Sequence, residues 1–273
     1  MTVKAGKIWG QTEAILQTPV VEFHRICVNE GYQCSTHKHL HKWNGFYVES
    51  GELEIHVIKN DYDLIMPSLA GYGESSHMTA PSTIKENASQ VFELLDYLKI
   101  EKFNLLGHSM GGMVVQEMAT LYPERINKLI CFGTGSIGVL PNRFETINES
   151  RAKIKKFGLN KVRQEIAKTW FIDYLIGDGF KLCIDEGEKA TTQAALASLD
   201  AWECWDGREQ LKHIKCPTLI IWSDKDRSYD WSQQKILKKG IVDSRVEIIE
   251  NCAHNSHMEK PKLFNTIVKN FLS

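Results

Sequence analysis

The chain has 273 residues, 42% of them apolar and 25% charged, enough for one large domain or two modest ones. Its 33 Lys and Arg nearly cancel 34 Asp and Glu, which gives no electrostatic handle for nucleic acid or an anionic membrane; the polar start Met1-Thr2-Val3-Lys4 and the lack of an apolar run of about 20 residues predict a cytoplasmic protein. Seven cysteines (Cys27, Cys34, Cys131, Cys183, Cys204, Cys216, Cys252) are scattered without a C-x-x-C pair and read as reduced, small apolar core residues.

Val21 to Val28, Gly45 to Glu49 and Leu53 to Ile58 alternate apolar and polar residues between Gly-containing and polar turns, as half-buried strands do. The character changes near Asp61 to Met66. From there strands and amphipathic helices take turns, the signature of a parallel sheet covered by helices. Tyr62 to Met66 predicts a short strand that runs into the glycine-punctuated loop Pro67 to Ser75. A helix follows over Thr83 to Leu98, with Val91, Leu94, Leu95 and Leu98 as its apolar positions, Ser82 or Thr83 as its cap, and Glu86 three residues after Thr83. Phe103 to Leu106 is the next strand, Gly107 to Gly112 a turn, and Met113 to Tyr122 a helix ended by Pro123. Lys128 to Phe132 is a further strand. Residues 138–205 are helical in pattern, rich in Lys and Glu, with Trp170, Phe171, Tyr174, Trp202 and Trp205, and read as an inserted cap. The sheet resumes at Thr218 to Trp222 and Arg245 to Ile249, and a helix over Pro261 to Leu272 closes the chain.

Gly107-His108-Ser109-Met110-Gly111 matches G-x-S-x-G between a strand and a helix, the turn that lifts a serine hydroxyl above a sheet. A serine is a weak nucleophile at neutral pH, so it needs a base within reach and a group that orients the base. Ser223-Asp224-Lys225-Asp226 offers two carboxylates at the end of a later strand, the edge where open parallel sheets gather their sites. His254 and His257 follow the last strand.

These segments, over about residues 62–273, resemble the α/β-hydrolases. Ser223 to Asp226 is similar to their G-x-x-D turn, which implies Asp226 as the acid with Asp224 as the fallback. Asn251 to Pro261 is similar to their G-x-G-H segment and E-x-P helix start, which implies His254 as the base, His257 being the competitor. Asn251 and Ala253 replace the family's glycines there. His108 corresponds to a histidine packed beneath the turn. The backbone N–H of Met110 is the first oxyanion donor. The second normally comes from a loop after the family's third strand; the first three strands and first helix have no counterpart, so it stays unassigned. The loop Pro67 to Gly73 also resembles that of epoxide hydrolases, but their nucleophile is an Asp where this chain has Ser109.

Gly31, His37, His39, Asn44 and Gly51 resemble the first cupin motif, with Asn44 at its Glu position. His37, His39 and His41 alternate on one face of an extended strand, which suits a divalent metal, with His37 and His39 as its ligands. The expected architecture is a truncated α/β-hydrolase parallel sheet with a helical cap (62–273), preceded by a small β-rich cupin-like segment (1–61). The expected function is hydrolysis of an ester, lactone, amide or C–C bond in a small apolar molecule, with no cofactor and no nucleic-acid or membrane partner. The oligomeric state is open. The alternatives are a cupin-like metal or small-ligand module with a vestigial triad, and an inactive chimeric chain.

Overall fold

The computed structural model describes residues 4–7, 10–17, 22–28 and 64–273, and the chain divides into two compact units, Met1–Asp63 and Leu64–Ser273. In the first, β1 (Lys4–Lys7), β2 (Gly10–Gln17) and β3 (Glu22–Val28) form an antiparallel sheet in that order. The β2–β3 register runs from Gly10 opposite Val28 to Gln17 opposite Glu22 and shifts between Ala14 and Leu16. β3 is the strand expected from Val21; β1 and β2 carry too little alternation to have been read. The expected strands at 45–49 and 53–58, and the cupin-like Gly31, His37, His39, Asn44 and Gly51, lie outside the described residues.

In the second unit, α1 (Ile84–Tyr97) starts on Thr83, whose hydroxyl oxygen accepts the Glu86 N–H at 3.1 Å and satisfies one of the donors a helix start leaves open. Four parallel strands follow in the order β4 (Phe103–His108), β5 (Ile126–Phe132), β6 (Thr218–Ser223), β7 (Ser244–Ile249). Successive side chains point to opposite faces. Leu129, Cys131 and Ile220 therefore join one core with α1 and α2 (Met110–Leu121), through Ile84, Phe92, Val114 and Met118. Ile130, Phe132, Leu219 and Ile221 join another with Phe264 and Phe271 of α9 (Pro261–Leu272). Burial on both faces is why β5 and β6 read as unbroken apolar runs. The sheet's cysteine Cys131 is buried, as are Cys216 and Cys252, whereas Cys204 is exposed.

The strand expected at Tyr62 to Met66 does not form over its described part, 64–66. Leu64 and Met66 are 76% and 86% exposed. An apolar pattern is satisfied only when a ladder and a packed face receive it, and Leu64 to Met66 belong to no ladder here. Among the described residues β4 pairs with β5 alone, and its Leu106 is 45% exposed. Between β5 and β6 lie α3 (Ile147–Phe157), α4 (Leu159–Lys168), α5 (Asp178–Gly187) and α6 (Thr192–Glu203), where a cap was expected. Ile147, Ile154, Val162 and Leu199 give it a core of its own. The helix α7 (Trp231–Gly240) links β6 to β7.

Candidate active site

Ser109 stands alone between β4 and α2, with φ 54° and ψ −119°. A non-glycine residue held there costs about 1–3 kcal/mol, which the surroundings must offset. They do so with specific bonds: the Ser109 N–H donates to Phe132 O at 3.0 Å, and the Thr134 hydroxyl donates to Ser109 O at 2.7 Å. Gln116 donates to Gly112 O and Gly135 O at 2.8 and 2.9 Å. A Cβ on Gly107 would lie 2.2 Å from Gly111 O, and one on Gly112 would lie 2.4 Å from the Thr134 side chain; Gly111 itself faces open space. The crowding that demands glycine therefore falls on the first position of the motif and on the residue after it. The helix begins at Met110, three residues earlier than its apolar pattern indicated, because the turn is itself helical. The Met110 N–H, at the first helical position, has no acceptor inside the helix and is available to an anion beside Ser109.

The loop after β6 carries Asp226 and the loop after β7 carries His254. Asp226 Oδ1 accepts the N–H groups of Ser228 and Tyr229 at 2.7 and 3.1 Å, which leaves Oδ2 for His254 Nδ1 at 2.8 Å. Both side chains are buried, with 1% and 3% exposure. The loops are joined by the Lys225 N–H on Cys252 O at 3.0 Å. Asp224 instead pairs with Lys225 at 2.8 Å. Of the residues in the family's two glycine positions, Asn251 takes the left-handed conformation, φ 50°, so Ala253 is spared it.

His254 lies in a stack of rings. His108 packs on Phe132 and His254, each at 4.4 Å between centroids, and His257 meets His108 at 5.2 Å. His108 Nε2 donates to His254 O at 3.1 Å, a bond that fixes both its tautomer and the His254 backbone. Burial, and then the neighbouring His254 and His257, hold His108 well below the ordinary imidazole range. Burial and His254 likewise lower His257, to about 4. Both neighbours of His254 are thus held in the neutral form near neutral pH. His257 lies in the four-residue α8 (Ser256–Glu259), apart from the carboxylate, while His254 meets it.

Tyr229 also stacks on the imidazole, at 5.7 Å with 18° between planes. Nothing in the motifs marked this tyrosine; its spacing of three residues from Asp226 was the available signal. Glu259 was read only as part of a helix start. It accepts the Ala253 N–H at 2.7 Å and the Ile172 N–H at 2.8 Å, tying the His254 loop to the cap. The Asn255 N–H on Trp170 O at 3.0 Å is a second tie, and the half-buried Trp170 ring stands 6.4 Å from His254.

The family model of the α/β hydrolase fold matches residues 43–175, beginning inside the segment read as cupin-like. The chain is 29% identical over 229 residues to 3-oxoadipate enol-lactonase 2 of Acinetobacter baylyi, covering 79% of this chain and 80% of that one. It is 27% identical over 239 residues to 2-hydroxy-6-oxo-6-phenylhexa-2,4-dienoate hydrolase of Comamonas testosteroni, covering 84% and 82%. The crystal structure of the enol-lactonase from Burkholderia xenovorans LB400 superimposes with a TM-score of 0.68 over 75% of this chain and 78% of that one, at 24% identity. Parallel sheet, intervening helices and sequence likeness all lead to one assignment: the chain is a hydrolase of the α/β-hydrolase fold.

Proposed function

We propose that the chain cleaves an ester, lactone, amide or activated C–C bond of a small substrate through an acyl-enzyme on Ser109. The observation that carries this reading is the buried 2.8 Å bond between Asp226 and His254, together with a serine held in a strained turn next to His108, whose ring packs on His254. With Nδ1–H directed at the carboxylate, the lone pair of His254 sits on Nε2 and can receive the Ser109 proton. Oγ then adds to the carbonyl carbon, the carbonyl electron pair moves onto oxygen, and the Met110 N–H meets that charge. Collapse expels the leaving group with the proton from Nε2. Water, deprotonated by the same nitrogen, frees the acyl group.

A lactonase and a dienoate hydrolase stand among the relatives, and the bonds their names imply, like an ester, present a carbonyl to a nucleophile. The Trp170 ring near His254 favours a substrate with an apolar part at the acyl site. None of these steps needs a cofactor; a metal on His37 and His39 would be additional to them. The test is covalent. A fluorophosphonate is expected to label the intact protein with one adduct, mapped to the peptide containing Ser109 and lost in Ser109→Ala. Folded wild-type protein that stays unlabelled would sink the proposal.

A further inference from the structure

Glu259 closes the short helix that follows His254, and no step of the proposed reaction uses it. Its carboxylate is bonded in two directions: Oε2 accepts the Ala253 N–H at 2.7 Å, and Oε1 accepts the Ile172 N–H of the cap at 2.8 Å. Its own N–H donates to Asn255 O at 3.1 Å. The residue therefore grips His254 from both sides, Ala253 by its side chain and Asn255 by its backbone. The cap meets the same loops at neighbouring points. Trp170 O accepts the Asn255 N–H at 3.0 Å, and Nη1 of Arg227, the residue after Asp226, donates to Phe171 O at 3.5 Å. Three consecutive cap residues, Trp170, Phe171 and Ile172, are thus each bonded to the segments that hold the imidazole and its carboxylate. The packing agrees, since a Cβ on Gly179 of α5 would lie 3.1 Å from the Phe171 ring and 3.3 Å from Met258 Cβ. The bare glycine lets α5 close onto both.

Two N–H groups from separate segments converge on two different oxygens, and a carboxylate is the side chain that offers an acceptor to each. Charge on the acceptor makes such bonds roughly twice as strong as neutral ones. An amide of the same size has one acceptor arm and one donor arm, so it can hold one of the two segments and must turn N–H against N–H at the other. We infer that Glu259 is a positioning residue that locks the backbone on either side of His254 to the cap, so that the base takes its place from the cap as well as from the sheet. This rests on the proposed role of His254. Nε2 has to meet the Ser109 proton in line, and a small displacement of the loop is felt in the chemical step more than in the binding of substrate.

The test is Glu259→Gln in the full chain, assayed on 4-nitrophenyl acetate and 4-nitrophenyl hexanoate. On both esters kcat is expected to fall about 10-fold with KM within about twofold, short of the roughly 10²-fold that a 1 Å misplacement can cost. The value is referred to the sites that a fluorophosphonate titrates, so a misfolded fraction does not count. Glu259→Asp, which keeps both acceptor oxygens on a shorter arm, should recover part of the loss, whereas a residue that only fills space would be replaced better by glutamine. Wild-type kcat in Glu259→Gln, a loss confined to KM, or Glu259→Asp no better than Glu259→Gln overturns the assignment. His254→Gln measured in parallel separates the two readings: if it abolishes turnover while Glu259→Gln is silent, only the Glu259 inference fails, and if His254→Gln turns over like wild type, both fail.

Discussion

Exchange of His254 for glutamine is expected to lower kcat on 4-nitrophenyl acetate by on the order of 10⁶-fold, the scale seen when the base of a serine triad is removed. Glutamine roughly keeps the volume between His108 and Tyr229, so the loss reports chemistry and not a collapsed stack. Among the described residues, none nearby is placed to substitute. His257 is the other imidazole of that loop, but its ring packs against His108, Phe132 and Phe264, and burial holds it neutral down to about pH 4. Measured kcat within tenfold of wild type in His254→Gln would mean that the base is elsewhere.

Asp226→Asn should cost about 10⁴-fold in kcat, by a different route. Two backbone N–H groups, of Ser228 and Tyr229, converge on Oδ1 and require an oxygen there. The amide NH₂ must then take the place of Oδ2 and face His254 Nδ1. A donor facing Nδ1 makes that nitrogen the acceptor and moves the ring proton to Nε2, the atom that has to receive the serine proton. Geometry survives and the tautomer is wrong. Steady-state kinetics of Asp226→Asn beside Asp224→Asn checks this, since Asp224 points to Lys225 and its exchange should leave kcat within about twofold. Equal losses in the two variants would refute the assignment of the acid.

The sheet's central strands, the capped helix at Thr83 and the final helix were legible because each has a local cause: two-faced burial, a side-chain cap, a proline at the first turn. The serine turn was legible for a similar reason, since Gly107 and Gly112 are demanded by contacts within or next to the motif. Tyr62 to Met66 misled because periodicity records what a segment is suited to pair with, not whether a neighbour is present. Asp226 and Asp224 were not separable by spacing alone; the choice depends on which carboxylate two backbone donors hold toward the imidazole. Tyr229 and Glu259 went unread as site residues because their roles arise from three loops meeting in space, and no one of those loops carries a motif for it.

The ring stack beside His254 also sets how the protein meets acid. In an unfolded chain His108 and His257 would each take up a proton near 6.5; folded, His257 does so only near 4 and His108 is likewise displaced downward. Between those values the unfolded chain binds more protons than the folded one. Stability is therefore full above about pH 6.5 and drains away as the pH falls toward 4. Two imidazoles outside the proposed triad thus help set the acid limit of the fold, and the denaturation midpoint followed by circular dichroism is expected to fall as the pH is lowered from 7 toward 4.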